Sequence, residues 1–68
     1  MKKTKINVNK IYLEVAKLNM SVADFASKIK MSRTTLFNAL NRDETTIKTA
    51  VKIANGLNMP VENLIVNE

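Results

Sequence analysis

The 68-residue sequence predicts an all-α fold, a compact bundle of five short helices forming one domain. Three observations point there. Apolar residues recur at spacings of three and four along most of the chain. One glycine, Gly56, and one proline, Pro60, leave little room for long linkers or for the tight turns of a sheet. Ser21, Ser32 and Thr46 each stand just ahead of an apolar run, where a helix N-cap belongs.

The first helix is expected over about residues 8–18, with Ile11, Val15 and Leu18 on one face and Tyr12 beside them. Asn19 follows, a residue that tolerates the left-handed conformation ending many helices. Ser21 then opens a second helix. Its hydroxyl suits the backbone N–H of Asp24, and the Asp24 carboxylate suits the backbone N–H of Ser21. Met20 and Phe25 form a hydrophobic staple, and Val22, Phe25, Ala26 and Ile29 make the inward stripe.

Lys30 and Met31 separate that stripe from the next cap, Ser32. The third helix is expected over residues 32–41, with Met31 and Leu36 as its staple and Leu36, Ala39 and Leu40 on the core side. Its other face carries Thr34, Phe37, Asn38 and Asn41, a polar but uncharged surface with an aromatic in it. A purely solvated helix face would carry Lys and Glu instead. A polar loop leads to Thr46 and a fourth helix holding Ile47, Ala50, Val51, Ala54 and Leu57. Asn58 ends it, and Pro60 opens a short fifth helix with Val61, Leu64 and Ile65.

Composition narrows the chemistry. With no Cys there is no disulfide or thiolate site, and with no His the commonest general base and metal ligand is missing. Among the six acidic residues, Asp43 and Glu44 are the adjacent pair, and neighbours on a loop do not make a spaced catalytic dyad. No enzyme activity, metal, cofactor or small-molecule ligand is expected. No apolar run approaches the ~20 residues of a membrane span, and the basic start has no hydrophobic stretch behind it to make a secretory signal. A cytoplasmic protein is expected.

The net charge is +5, and Lys2, Lys3, Lys5 and Lys10 concentrate it in the first ten positions. This pattern suits either a solubilising terminus or a polyanionic partner. Residues 1–5 are expected to be a basic arm, disordered without DNA, ahead of a single domain over 6–68.

Two short helices joined by a tight turn, the second with a polar outward face, make a helix-turn-helix over about residues 21–41. The run SVADFASKIKMSRTTLFNALN, with the later TIKTAVKIANGLNMPVENLI, resembles the Xre/Cro-like helix-turn-helix family of phage Cro proteins and phage-repressor DNA-binding domains. Phe25-Ala26 stands where that family has Leu-Ala, Met31 to Leu36 resembles its Val-Ser-x-x-x-Ile, and Ala54 to Val61 resembles its Ala-x-x-Leu-Gly-Val-Ser.

The resemblance implies a lambda-repressor-like domain in a bacterial cell or phage-infected host, binding double-stranded DNA as a regulator. It implies that Arg33, Thr34, Phe37 and Asn38 face bases, with Thr35 at the groove edge touching bases or phosphate. Ser21, Ser32, Asn41, Arg42 and Lys48 would hold phosphates, with Lys2, Lys3 and Lys5 of the arm adding to them. Phe37 also suits a partner subunit, and Ile65 and Val66 extend an apolar patch that suits either closure of the core or the region through which related proteins often form homodimers.

Three departures from the family pattern stand out. Val22 replaces a Gln that often binds phosphate. Lys30 replaces the Gly of the turn, which costs about 1 kcal/mol if the position is left-handed and puts a charge within reach of a phosphate. Val15 and Leu40 jointly replace a family Arg–Glu pair, removing two desolvation costs at once. A competing reading is a protein-interaction module such as the antitoxin of a toxin–antitoxin pair. Salt separates the two, because phosphate-based binding weakens steeply as salt rises and an apolar interface does not.

Overall fold

A computed structural model describes residues 3–66 of the chain. The order is β1 (Lys3–Lys5), α1 (Val8–Lys17), α2 (Val22–Lys28), α3 (Arg33–Arg42), β2 (Glu44–Thr46) and α4 (Ile47–Gly56), then a 3₁₀ turn at Val61–Asn63. The domain is therefore mostly helical, with four α-helices and a small sheet rather than five helices.

Each helix begins on a polar cap that takes one of its orphan N–H groups. Asn7 Oδ1 accepts from Lys10 N–H at 3.1 Å, and Ser32 Oγ from Thr35 N–H at 3.1 Å. Thr46 Oγ1 accepts from Thr49 N–H at 3.3 Å. The reciprocal box at Ser21 is present: Asp24 N–H donates to Ser21 Oγ at 3.1 Å, and Ser21 N–H donates to Asp24 Oδ2 at 3.5 Å. Such caps are worth about 1 kcal/mol each.

The joints share one device. Asn19, Lys30, Asp43 and Asn58 have φ between 57° and 59°, so a left-handed non-glycine residue turns the chain after each of the four helices. Asn19 and Asn58 do so as expected. Asp43 adds a joint at the end of α3, where its short side chain tolerates the conformation.

The core draws on every helix. Ile11 and Val15 of α1, Phe25 and Ala26 of α2, Leu36, Ala39 and Leu40 of α3, and Ala50, Ile53 and Ala54 of α4 are all buried. Gly56 lets α2 and α4 approach closely. A Cβ there would fall onto Ile29 Cγ2 and lie 2.9 Å from Phe25 Cζ. Lys28 Nζ donates across the same seam to the Gly56 carbonyl at 3.1 Å.

Several expectations need correction. Lys3–Lys5, expected in a disordered arm, form β1 and pair antiparallel with β2, in the register Lys3↔Thr46, Thr4↔Thr45 and Lys5↔Glu44. Ile6 beside them is buried in the core, and its N–H donates to the Asp43 carbonyl at 2.9 Å, so an anchored residue continues the pairing at one end of the strand. Lys2 lies outside the described residues.

The fifth helix shrinks to the 3₁₀ turn. The turn stops there because the chain beyond it is drawn into other contacts: Leu64 is buried in the core and Ile65 bridges back to Ile6 in extended form. Asn7 N–H donates to the Leu64 carbonyl at 2.7 Å, and Val66 N–H to the Lys5 carbonyl at 3.0 Å. On α4, Ile53 takes the core position, while Ile47 and Val51 are exposed; Leu18 after α1 is exposed as well.

Candidate nucleic-acid interface

The interface is built on the geometry of α2, its turn and α3. Ile29 closes α2, and Lys30 at φ 59° reverses the chain within two residues so that Ser32 caps α3. Lys30 is thus left-handed where the family pattern has Gly, and its side chain stands exposed at the turn. Val22 is half-buried against the core, continuing the apolar stripe.

Leu36, Ala39 and Leu40 anchor α3, and this burial fixes which side faces out. Arg33, Thr34, Thr35, Phe37, Asn38, Asn41 and Arg42 are all exposed. No acidic residue lies within α3, so its charges are the guanidinium groups of Arg33 at the start and Arg42 at the end.

Three hollows border this helix. The first, at its N-terminus, is lined by Asp24, Ser27, Met31, Ser32 and Arg33 together with Ala23 of α2. The second, of about 270 Å³, lies between α3 and the β2–α4 corner, with Thr35, Asn38 and Arg42 on one wall and Thr46 and Thr49 on the other. Lys3 and Glu44 also line it. The third holds Met31, Thr35, Thr49, Val51 and Asn55 with the two ammonium groups of Lys48 and Lys52. Thr35 and Thr49 line both of the last two, so these adjoin.

The structure thus brings Thr35, Asn38, Arg42 and Lys48 to one surface. Thr34, Phe37 and Asn41 lie on the exposed side of α3 without lining these hollows, and Ser21 and Lys30 sit on the α2 side. Lys3 joins the surface through β1, whereas Lys5 lines a separate hollow with Asn7, Asp43 and Val66.

Sequence reasoning missed Thr49 and Lys52. Their spacing was available: once Thr46 is a cap, Thr49 is the first-turn residue above it, and Lys48 and Lys52 are one turn apart on α4. The Thr46 hydroxyl donates to Thr49 Oγ1 at 3.1 Å, and the Ser32 hydroxyl to Thr35 Oγ1 at 2.8 Å. The two helix starts facing this surface therefore carry the same paired hydroxyls.

An outward α3, polar on its free face and basic at its rims, follows α2 after a tight turn, which is the helix-turn-helix arrangement. Residues 10–64 match the helix-turn-helix family model, and the chain belongs to the Xre/Cro-like helix-turn-helix family. Comparisons with curated proteins and with solved structures give no match. Among the described residues, no helix is long and apolar enough to cross a membrane. Among those same residues, no group of three His, Cys, Asp or Glu is placed to hold a metal ion.

Proposed function

We propose that the chain is a Cro/repressor-like transcriptional regulator that inserts α3 into the major groove of a short operator. One observation carries this: α3 buries Leu36, Ala39 and Leu40 while exposing an acid-free face of Arg33, Thr34, Phe37, Asn38 and Asn41. The major groove admits one helix and displays a distinct donor and acceptor pattern for each base pair. Arg33 suits the O6 and N7 acceptors of guanine, and Asn38 the N6 donor and N7 acceptor of adenine. Phe37, 39% exposed, offers an apolar edge to a thymine methyl.

Around these, Ser21, Lys30, Ser32, Asn41, Arg42 and Lys48 hold phosphates and fix register. The working form is a homodimer on a two-fold related operator, joined through the C-terminal region around Ile65 and Val66; Val66 is exposed there. Its place is the cytoplasm, where the operator is.

The test is binding of variants to a panel of single-base operator changes, the operator first located by footprinting. Arg33→Ala and Asn38→Ala should each cost ~1–3 kcal/mol on the true site and relax preference at one base pair per half-site. Arg42→Ala should weaken all sites about equally. Unchanged base preferences in both Arg33→Ala and Asn38→Ala would remove α3 as the reading head and favour protein docking instead.

A further inference from the structure

The basic start of the chain is bimodal in its placement. Lys3 and Lys5 stand two residues apart on one strand, yet they serve different surroundings. Lys3 lines the hollow shared with Thr35, Asn38, Arg42 and Thr49, and Lys5 the one with Asn7 and Asp43. The strand register sets this, placing Lys3 opposite Thr46, the cap of α4, and Lys5 opposite Glu44.

We propose that Lys3 is a DNA-phosphate contact presented by β1 as a fixed part of the interface, on the same hollow as Arg42 of α3. The inference rests on the reading of α3 as the DNA-binding helix. The chemistry of the hollow suits an anionic oxygen. Lys3 and Arg42 bring positive charge to it. Thr35 and Thr49 bring hydroxyls, each of which can both donate and accept, and the Asn38 amide lines the same hollow. Glu44, opposite Lys5 in the strand register, is the acidic residue lining the hollow, set against the two cations Lys3 and Arg42.

A disordered arm must lose chain entropy when it reaches a phosphate, whereas a strand-held ammonium has lost it on folding. The contact therefore depends on the β1–β2 pairing as well as on the charge. A flexible arm would show the opposite: indifference to the pairing, and near-equivalence of Lys3 and Lys5.

The experiment measures the salt dependence of DNA binding for Lys3→Gln and Lys5→Gln, two variants with the same loss of charge on the same strand. Lys3→Gln should flatten the slope of log affinity against log salt by about 0.9, the value for one phosphate. Lys5→Gln should change it by well under half of that. Thr4→Pro, which removes a strand N–H between them, should reproduce the Lys3→Gln loss, and adding Lys3→Gln to it should lose nothing more. The two Gln variants carry the test if Thr4→Pro melts too low to use. A parental slope in Lys3→Gln, or equal losses in Lys3→Gln and Lys5→Gln, overturns the fixed contact and leaves the α3 reading standing. Salt-independent or absent DNA binding by the parent chain overturns both.

Discussion

Gly56→Ala tests the close packing of α4 against α2, the first helix of the helix-turn-helix. In an open helix the change would be stabilising by up to about 1 kcal/mol, because Ala is the better helix former. Gly56 is the last residue of α4, so that gain is at its smallest there. Against it stands the α2–α4 seam. The new methyl would fall onto Ile29 Cγ2 and lie 2.9 Å from Phe25 Cζ and 3.0 Å from Phe25 Cε1. Ile29 is β-branched and stiff at χ1, and Phe25 is 0% exposed, so neither can swing aside. Overpacking of this kind costs about 1–3 kcal/mol. The net expectation is a loss of about 1–2 kcal/mol, or roughly 5–15 °C in Tm for a domain this small. Urea and thermal unfolding measure it, with Asn55→Ala on the exposed side of α4 as the control. Removing the obstructing methyl in an Ile29→Ala/Gly56→Ala double variant should cost less than the sum of the two single changes. A Gly56→Ala variant as stable as the parent, or purely additive with Ile29→Ala, would refute the claim that the seam is closed at this point.

Other outcomes follow from the joints and the core. Lys30→Gly, at φ 59°, should raise stability by about 1 kcal/mol in denaturant melts while weakening DNA binding through the lost charge. A destabilised Lys30→Gly would show that this side chain contributes more to the fold than its left-handed backbone costs. Leu40→Glu places an unpaired carboxylate at a position 3% exposed and should cost about 3–5 kcal/mol; Val15→Arg in the same chain should recover part of that. Calorimetry decides it, and a single variant melting like the parent would show that residue 40 does not face the α1 side of the core.

The helical part of the fold was legible because its signals are local. Each cap lies three residues from its partner N–H, and each stripe repeats within two turns, so Ser21, Ser32 and Thr46 could be placed from sequence. The exposed face of α3 followed from the same periodicity. The strands were not legible for the converse reason. Lys3–Lys5 and Glu44–Thr46 are three residues each and meet only across some forty positions of chain, too short and too distant for a pattern window. A weak trace exists in Lys3-Thr4-Lys5-Ile6, which alternates charged with less polar residues, as a half-buried strand does. On α4 the apolar spacing alone placed Ile47 and Val51 inward, whereas Ala50, Ile53 and Ala54 are the buried residues. The hollow joining Lys3 to Asn38 and Arg42 is a product of the β1–β2 sheet, which is why this part of the surface had to be seen rather than read.

The bridge between Ile6 and Ile65 sets a timetable for synthesis. The helices can form from contacts made as the chain emerges, but Ile6 reaches its bridging partner only after nearly the whole domain has left the ribosome. Until then Lys5 lacks the Val66 N–H that its carbonyl accepts, and Asn7 has no Leu64 carbonyl to donate to. A nascent chain halted before Leu64 would also leave the core open beside α4, since Leu64 is fully buried when the domain is complete. Ribosome-bound chains of increasing length, each carrying a C-terminal linker to span the exit tunnel, should therefore gain helix early and protease resistance late, in one step once Leu64 to Val66 have emerged.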